Sequence, residues 1–118
     1  RGGGEDLWVL GSHVFGLMRS FAGANATTCY ATVTQGGEPV ARRHVREGAE
    51  GIGPLAGDHV QATYTFPRGI TGYFASRCGM AGQPTRFAVQ VFGSRGVIEL
   101  ESGYGVRALL LRDGGWSP

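Results

Sequence analysis

The stretch "DHVQATYTFPRGITGYFASRC", residues 58–78, alternates apolar and polar side chains on either side of a Pro-Arg-Gly segment. In its first half the apolar side chains are Val60, Ala62, Tyr64 and Phe66, and the polar ones between them are His59, Gln61, Thr63 and Thr65. A two-residue repeat of this kind is typical of a β-strand with one buried face. Residues 67–69 form a predicted turn, so residues 70–78 are expected to return as an antiparallel partner strand.

The same kind of repeat predicts further strands on both sides of this hairpin. They cover residues 27–35, 85–93, 97–101 and 106–113. Short connections favour antiparallel pairing, in a sheet with one apolar face and one face of Thr, Gln and Arg. The polar face is expected to be solvated or to pair with a second subunit. Residues 38–57 are predicted to be a long irregular loop with a short helical turn near residues 41–47.

Near the start of the chain the hydrophobic period changes to that of a helix. In "EDLWVLGSHVFGLMRSFAG", residues 5–23, apolar side chains recur three and four positions apart, at Leu7, Leu10, Val14, Leu17, Met18 and Phe21. Acidic residues open the segment, Arg19 lies in its last turn, and Gly23 is a typical C-terminal stop. The sequence therefore predicts an α+β fold, with an N-terminal amphipathic helix packed on a mostly antiparallel open β-sheet, as a single domain of residues 1–118.

Composition argues against several classes of protein. With 42% hydrophobic and 17% charged residues, the chain resembles folded domains and not disordered ones. A net charge of +2 with dispersed arginines predicts no nucleic-acid partner. No apolar run reaches the ~18 residues that span a membrane, so no membrane partner is expected. Cys29 and Cys78 form no C-x-x-C pair, which argues against a zinc site and predicts reduced thiols in a cytoplasmic protein.

His13 is the strongest candidate for chemistry. On a helical wheel it lies roughly 80° from the centre of the apolar stripe, at its border. An imidazole at the rim of a cleft could exchange a proton with a substrate hydroxyl near neutral pH. The alternative is a half-buried histidine that is hydrogen-bonded to a nearby carbonyl. Asp6 projects from the same flank about two turns earlier and is a candidate for substrate binding.

Arginines are further candidates. Arg77, on a predicted strand face, could clamp a substrate or could pair with an acid such as Glu99. Three arginines of the long loop could hold an anionic substrate or could form a solvated charged segment: Arg42, Arg43 and Arg46. No histidine has a partner at metal-ligand spacing, so no metal ion is predicted.

Three segments together resemble one protein family. In "GGGEDLWVLGSHVFGLMRSFAG", Gly11 and His13 match the core of a helix motif that reads G-G-G, D-x-G-x-H-x-x-D and then a closing glycine. "FAVQVFGSRGVIEL", residues 87–100, is similar to a strand, a G-[ST]-x-G turn and a second apolar strand. "GDHVQATYTFPRGITGYFAS", residues 57–76, looks like the paired strands between these motifs. The chain thus resembles the C-terminal domain of the Gfo/Idh/MocA oxidoreductases, the relatives of glucose–fructose oxidoreductase and inositol dehydrogenase.

The resemblance implies the substrate-binding half of a two-domain dehydrogenase. An N-terminal Rossmann domain, absent from this chain, would bind NAD or NADP. His13 would inherit the role of general acid/base, with a lysine from the other domain, in hydride transfer to or from a sugar, polyol or related hydroxylated ring. The open sheet would form the contact of a homo-oligomer.

Two positions depart from the family motif. Val9 and Gly16 stand where the motif has acids, and the chain contains no lysine. The lysine of the reaction would therefore come from the other domain, and the start at "RGGG" is interpreted as the start of a piece of a longer protein. The alternative function is a non-catalytic oligomerisation or binding module that uses the open sheet.

Overall fold

The computed structural model describes residues 3–79, 87–102 and 106–111. The chain divides into two compact units, Arg1–Met80 and Ala81–Pro118. In chain order the helices and strands are α1 (Gly4–Val9), α2 (Gly11–Ala22), β1 (Thr28–Gln35), β2 (Glu38–Pro39), β3 (Arg46–Glu47), β4 (Pro54–Leu55), β5 (His59–Thr65), β6 (Thr71–Arg77), β7 (Phe87–Gly93), β8 (Gly96–Ser102) and β9 (Val106–Leu111). Every strand pair of the described residues is antiparallel, which confirms the α+β class. The assignment of residues 1–118 to one domain stays a prediction.

The first unit is built on a four-stranded sheet in the order β2-β1-β5-β6. In this register Val60 stands opposite Val33 and Ser76. Residues opposite one another share a face, so one face carries Cys29, Ala31, Val33, Val60, Ala62, Tyr64, Gly72, Phe74 and Ser76. We call this the inner face. Val60 is only 2% exposed, and Ala62 is also buried, which confirms the predicted alternation in β5.

Helix α2 packs on the inner face through aromatic side chains. The Phe15 ring lies 5.2 Å from the Tyr64 ring and 5.1 Å from the Phe74 ring, measured between centroids. Gly72 leaves room for Met18, because a Cβ at residue 72 would lie only 3.1 Å from the Met18 sulfur. The missing side chain in β6 is therefore part of the helix–sheet contact.

The predicted single helix consists of two segments that meet at Leu10. The backbone of Leu10 remains helical, with φ −95° and ψ −29°. Its N–H donates to the Asp6 carbonyl at 2.9 Å, and its own carbonyl accepts from the Val14 N–H at 3.2 Å. Helix α2 ends at Gly23 in the left-handed conformation, with φ 64°, which confirms the predicted stop.

The glycines at the start of α1 pack directly on the backbone before β5. The Gly4 N–H donates to the Gly57 carbonyl at 3.0 Å. A Cβ at Gly4 would overlap the carbonyl oxygen of Ala56, and a Cβ at Gly3 would lie 2.6 Å from the Asp58 carbonyl carbon. These residues must be glycine for the chain to approach so closely.

The long loop contains more regular structure than its sequence predicts. Strands β3 and β4 pair as a short ribbon, with Arg46 opposite Leu55. A 3₁₀ turn at Arg42–His44 lies within the predicted helical turn, and the His44 Nδ1 accepts from the Ala41 N–H at 3.0 Å. The two-residue strands have no alternating pattern to detect.

The second unit is a three-stranded antiparallel sheet in the order β7-β8-β9. Gly93 stands opposite Gly96, so the predicted tight turn lies between these two glycines. On the β7–β8 pair, the Gln90 side-chain amide donates to a carboxylate oxygen of Glu99 at 2.7 Å.

Candidate active site

The exposed side of α2 faces away from the sheet. Gly11 and Val14 lie on the buried side, whereas Ser12, His13, Gly16, Arg19 and Ser20 are exposed. We call these five residues the open helix face. It is polar, and Gly16 adds no side chain at its centre. The space beside Gly16 is open, since a Cβ added there would meet no atom within 4 Å.

His13 lies on this open helix face and not at the edge of the core. Its side chain is exposed, and within the described residues it has no hydrogen-bond partner. The half-buried histidine bonded to a carbonyl is therefore not what the structure shows. The His13 side chain is therefore open to a molecule that approaches from outside.

Asp6 lies at the junction of α1 and the sheet. Its Oδ2 accepts a 2.7 Å hydrogen bond from the Ser76 hydroxyl, and the Ser76 oxygen accepts from the Gly3 N–H at 3.0 Å. Its Oδ1 is buried and has no partner within the described residues. The carboxylate thus links α1 to β6, with one acceptor still unused.

Arg77 projects from the other side of the sheet. It stands opposite His59 at the end of β6, in the alternate register to Ser76. Successive side chains of a strand point to opposite faces, so Arg77 lies on the face that α2 does not cover. The structure therefore does not bring Arg77 together with His13 and Asp6.

A groove of about 610 Å³ follows the C-terminal part of the open helix face. Its lining residues are Gly16, Arg19, Ser20, Gly23, Ala24 and Asn25. We call it the Arg19 groove. His13 does not line it, but lies on the same side of α2 one turn before Gly16.

The face of the sheet opposite the helices is open and uncharged at its centre. Tyr30 and Tyr73 are each 75% exposed, and each stands opposite Thr63 in the middle strand β5. Together with Thr32, Gln61 and Ala75 they line a shallow groove of about 430 Å³. We call this surface the outer face.

Tyr64 is the titratable side chain, among the described residues, whose pKa its surroundings shift most clearly. Burial raises the pKa of the Tyr64 phenol to about 12, and a hydrogen bond with the Cys29 side chain and the negative charge of its thiolate form add to the effect. Cys29 stands opposite Tyr64 on the inner face, and both Cys29 and Cys78 are free thiols. The phenol stays protonated over the physiological range, and the Tyr64 ring packs against Phe15.

The part of the chain that the structure describes contains neither a metal-binding cluster nor a membrane-spanning helix. No three side chains of the metal-binding types come close enough together to hold an ion there. Neither of its two α-helices has the length and the apolar composition needed to cross a bilayer.

Comparisons with protein-family models, curated proteins and solved structures gave no match. The resemblance to the Gfo/Idh/MocA oxidoreductases therefore rests on the sequence motifs and stays a prediction. So do the assignments of His13, Asp6 and Arg77 to an enzyme site.

Sequence reasoning missed two polar residues that shape this region. Ser76 bonds Asp6 from 70 residues away, and no local pattern indicates such a pair. Arg68 donates from its Nη2 to the Ala22 carbonyl at 2.9 Å and so closes the C-terminal end of α2. The turn sequence Pro-Arg-Gly could have suggested the positive φ of Arg68, which is 64°. The sequence gives no sign that the Arg68 side chain bonds the Ala22 carbonyl.

Proposed function

We propose that this chain is the substrate-binding half of an NAD(P)-dependent oxidoreductase that acts on a sugar, polyol or related hydroxylated ring. The observation that carries the proposal is the position of His13, exposed on the open helix face beside the uncovered Gly16. A second domain and a bound substrate can both reach an imidazole in that position. The motif around Gly11 and His13 supports the same assignment.

His13 moves the proton in this mechanism. When a substrate hydroxyl is oxidised, the hydroxyl proton passes to a His13 ring nitrogen, the C–H bond gives up its hydride, and a carbonyl forms. An oxidised nicotinamide, if bound by the other domain, would accept that hydride, and the reduced form would donate it in the reverse direction. Imidazole suits the proton step because it takes up and releases protons near neutral pH.

The cofactor would be held mainly by a domain outside this chain. The glycines at the start of α1 do not have the geometry of a phosphate loop, since Gly3 and Gly4 are packed against residues 56–58. The Gly4 N–H is already bonded to Gly57. Among the described residues, the open helix face is instead suited to one wall of a site whose other wall is a nucleotide-binding domain.

The test is hydride exchange by the protein as its gene encodes it. Purified protein is incubated with NAD or NADP and a panel of neutral and acidic sugars and polyols, and reduced nicotinamide is followed by its absorbance. We expect reduction with at least one of the two cofactors. The absence of hydride exchange in both directions across the panel would contradict the proposal.

A second candidate function is self-association or binding through the outer face. It is favoured by the exposure of Tyr30 and Tyr73, because large aromatic side chains are enriched at the centres of protein interfaces. A homo-oligomer formed there is compatible with the enzyme, since α2 packs on the opposite face of the sheet. As a sole function, it would leave His13 without a chemical role.

A further inference from the structure

The Arg19 groove offers hydrogen-bond donors without a competing acid. Its polar lining residues are Arg19, Ser20 and Asn25, and no acidic residue lines it. Arg19 is exposed and has no ion-pair partner within the described residues. An unpaired guanidinium beside neutral donors is the arrangement that binds a carboxylate or a phosphate.

The shape of the groove comes from its small residues. Gly16 and Gly23 add no side chain to its surface, and a Cβ at Gly16 would meet nothing within 4 Å. The groove has a volume of about 610 Å³ and is wide open to solvent. The groove is therefore large enough for a substituent together with part of a sugar ring.

The C-terminal end of a helix carries partial negative charge, which by itself disfavours the binding of an anion. In α2 two of the terminal carbonyls are already occupied. The Ala22 carbonyl accepts from the Arg68 guanidinium at 2.9 Å, and the Ser20 carbonyl accepts from the Gly23 N–H at 3.3 Å. Arg68 thereby places a second positive charge next to Gly23, so the balance of charge around the groove is positive.

His13 is aligned with this groove along the helix. His13, Gly16 and Ser20 are spaced i, i+3 and i+7, which places them on one side of α2. Ser20 is roughly 10 Å from His13 along the axis, at a rise of 1.5 Å per residue. One ligand can therefore reach both the imidazole and the groove if an acidic group extends from its hydroxylated ring.

We propose that the substrate is a hydroxylated ring that carries a carboxylate or phosphate, and that the Arg19 groove binds this anionic group while His13 handles the reacting hydroxyl. The second part of this inference, that His13 handles the reacting hydroxyl, rests on the proposed function. Anion binding by the groove is independent of the reaction and can be measured without it.

The test is calorimetric titration of the protein as its gene encodes it with three probes: glucose 6-phosphate, glucuronate and glucose. Wild-type protein is compared with Arg19→Gln, Arg19→Lys and the control Arg95→Gln. The control removes the same charge from an exposed residue of the β7–β8 turn. Circular dichroism checks that each variant is folded.

We expect wild-type protein to bind at least one of the two anionic probes more tightly than glucose, and the preference between them identifies phosphate or carboxylate. Arg19→Gln should weaken that binding about 10-fold or more, Arg19→Lys should retain part of it, and Arg95→Gln should leave it unchanged. Equal weakening by the two Gln variants, no effect of Arg19→Gln, or no preference over glucose would overturn the inference. Arg19-dependent binding without hydride exchange would support the groove and contradict the enzyme.

Discussion

The Ser76 hydroxyl donates a 2.7 Å hydrogen bond to Asp6 Oδ2, and this bond joins the first helix to the last strand of the four-stranded sheet. The same Ser76 oxygen accepts from the Gly3 N–H, so one hydroxyl ties both the start of α1 and its third residue to β6. The partner-free Asp6 Oδ1 makes the carboxylate dependent on this bond. Asp6 is therefore a structural link, whether or not it also contacts a substrate.

Removal of that hydroxyl should destabilise the protein. Ser76→Ala leaves Asp6 Oδ2 and the Gly3 N–H without their partners, and we expect the free energy of unfolding to fall by about 1–3 kcal/mol. Urea unfolding measures it. The control Ser12→Ala removes an exposed hydroxyl and should change the same quantity by less than about 0.5 kcal/mol. Equal effects of the two substitutions would show that the Ser76 bond contributes nothing.

The two helical glycines at positions 4 and 16 should respond oppositely to alanine. Gly4→Ala places a methyl group against the Ala56 carbonyl, so we expect a loss of stability of about 1–3 kcal/mol or more. Gly16→Ala meets no atom within 4 Å and should raise the free energy of unfolding by about 0.5–1 kcal/mol. Thermal unfolding of both variants compares them. A tolerated Gly4→Ala would contradict the close approach to residues 56–58.

Tyr64 should make stability depend on pH at the alkaline end. Its pKa in the folded protein is about 12, above the ordinary value of about 10 that applies when the chain is unfolded. The folded state therefore retains the phenol proton more strongly, and the resulting stability is complete below about pH 10 and is lost as the pH rises towards about 12. The absence of lysine removes the other abundant group that titrates in this window.

The measurement is the free energy of unfolding between about pH 9 and pH 12 for wild-type protein and Tyr64→Phe. We expect a steeper decline with pH in the wild type, because Phe has no proton to lose. Parallel curves would show that the Tyr64 phenol titrates alike in the folded and unfolded chains.

The outer face should be sensitive to acidic substitutions if it forms a subunit contact. Gln61 and Thr63 lie in its middle strand between the exposed Tyr30 and Tyr73. Gln61→Glu combined with Thr63→Glu places like charges at the centre of a self-complementary interface and should shift the protein towards the monomer. Light scattering gives the mass, and a mass unaltered by the double substitution would argue against the contact.

Periodicity predicted the strands that carry a long alternating pattern, such as β5, and the helix end at Gly23. It did not predict the division of the helix at Leu10, because leucine is not a helix-breaking residue and the Leu10 backbone itself remains helical. The ribbon formed by β3 and β4 was missed since two-residue strands are too short to show a repeat.

The candidate site was predictable only in part. The helical pattern placed His13 near the boundary between buried and exposed sides, and the structure places it on the exposed side. Arg77 is separated from His13 because the two lie on opposite sides of the sheet. The pairing register of β5 and β6 decides which face Arg77 occupies. The Ser76 partner of Asp6 depends on a contact between residues 70 positions apart in the chain, which the pattern of a single sequence does not predict.

The turnover of His13→Ala tests the central claim most directly. In the protein as its gene encodes it, we predict that kcat for hydride transfer falls on the order of 10²-fold or more, while the unfolding transition stays unchanged and the control Arg95→Gln, in the exposed β7–β8 turn, retains the wild-type kcat. A His13→Ala variant with wild-type kcat would contradict the assignment of the proton transfer to this imidazole.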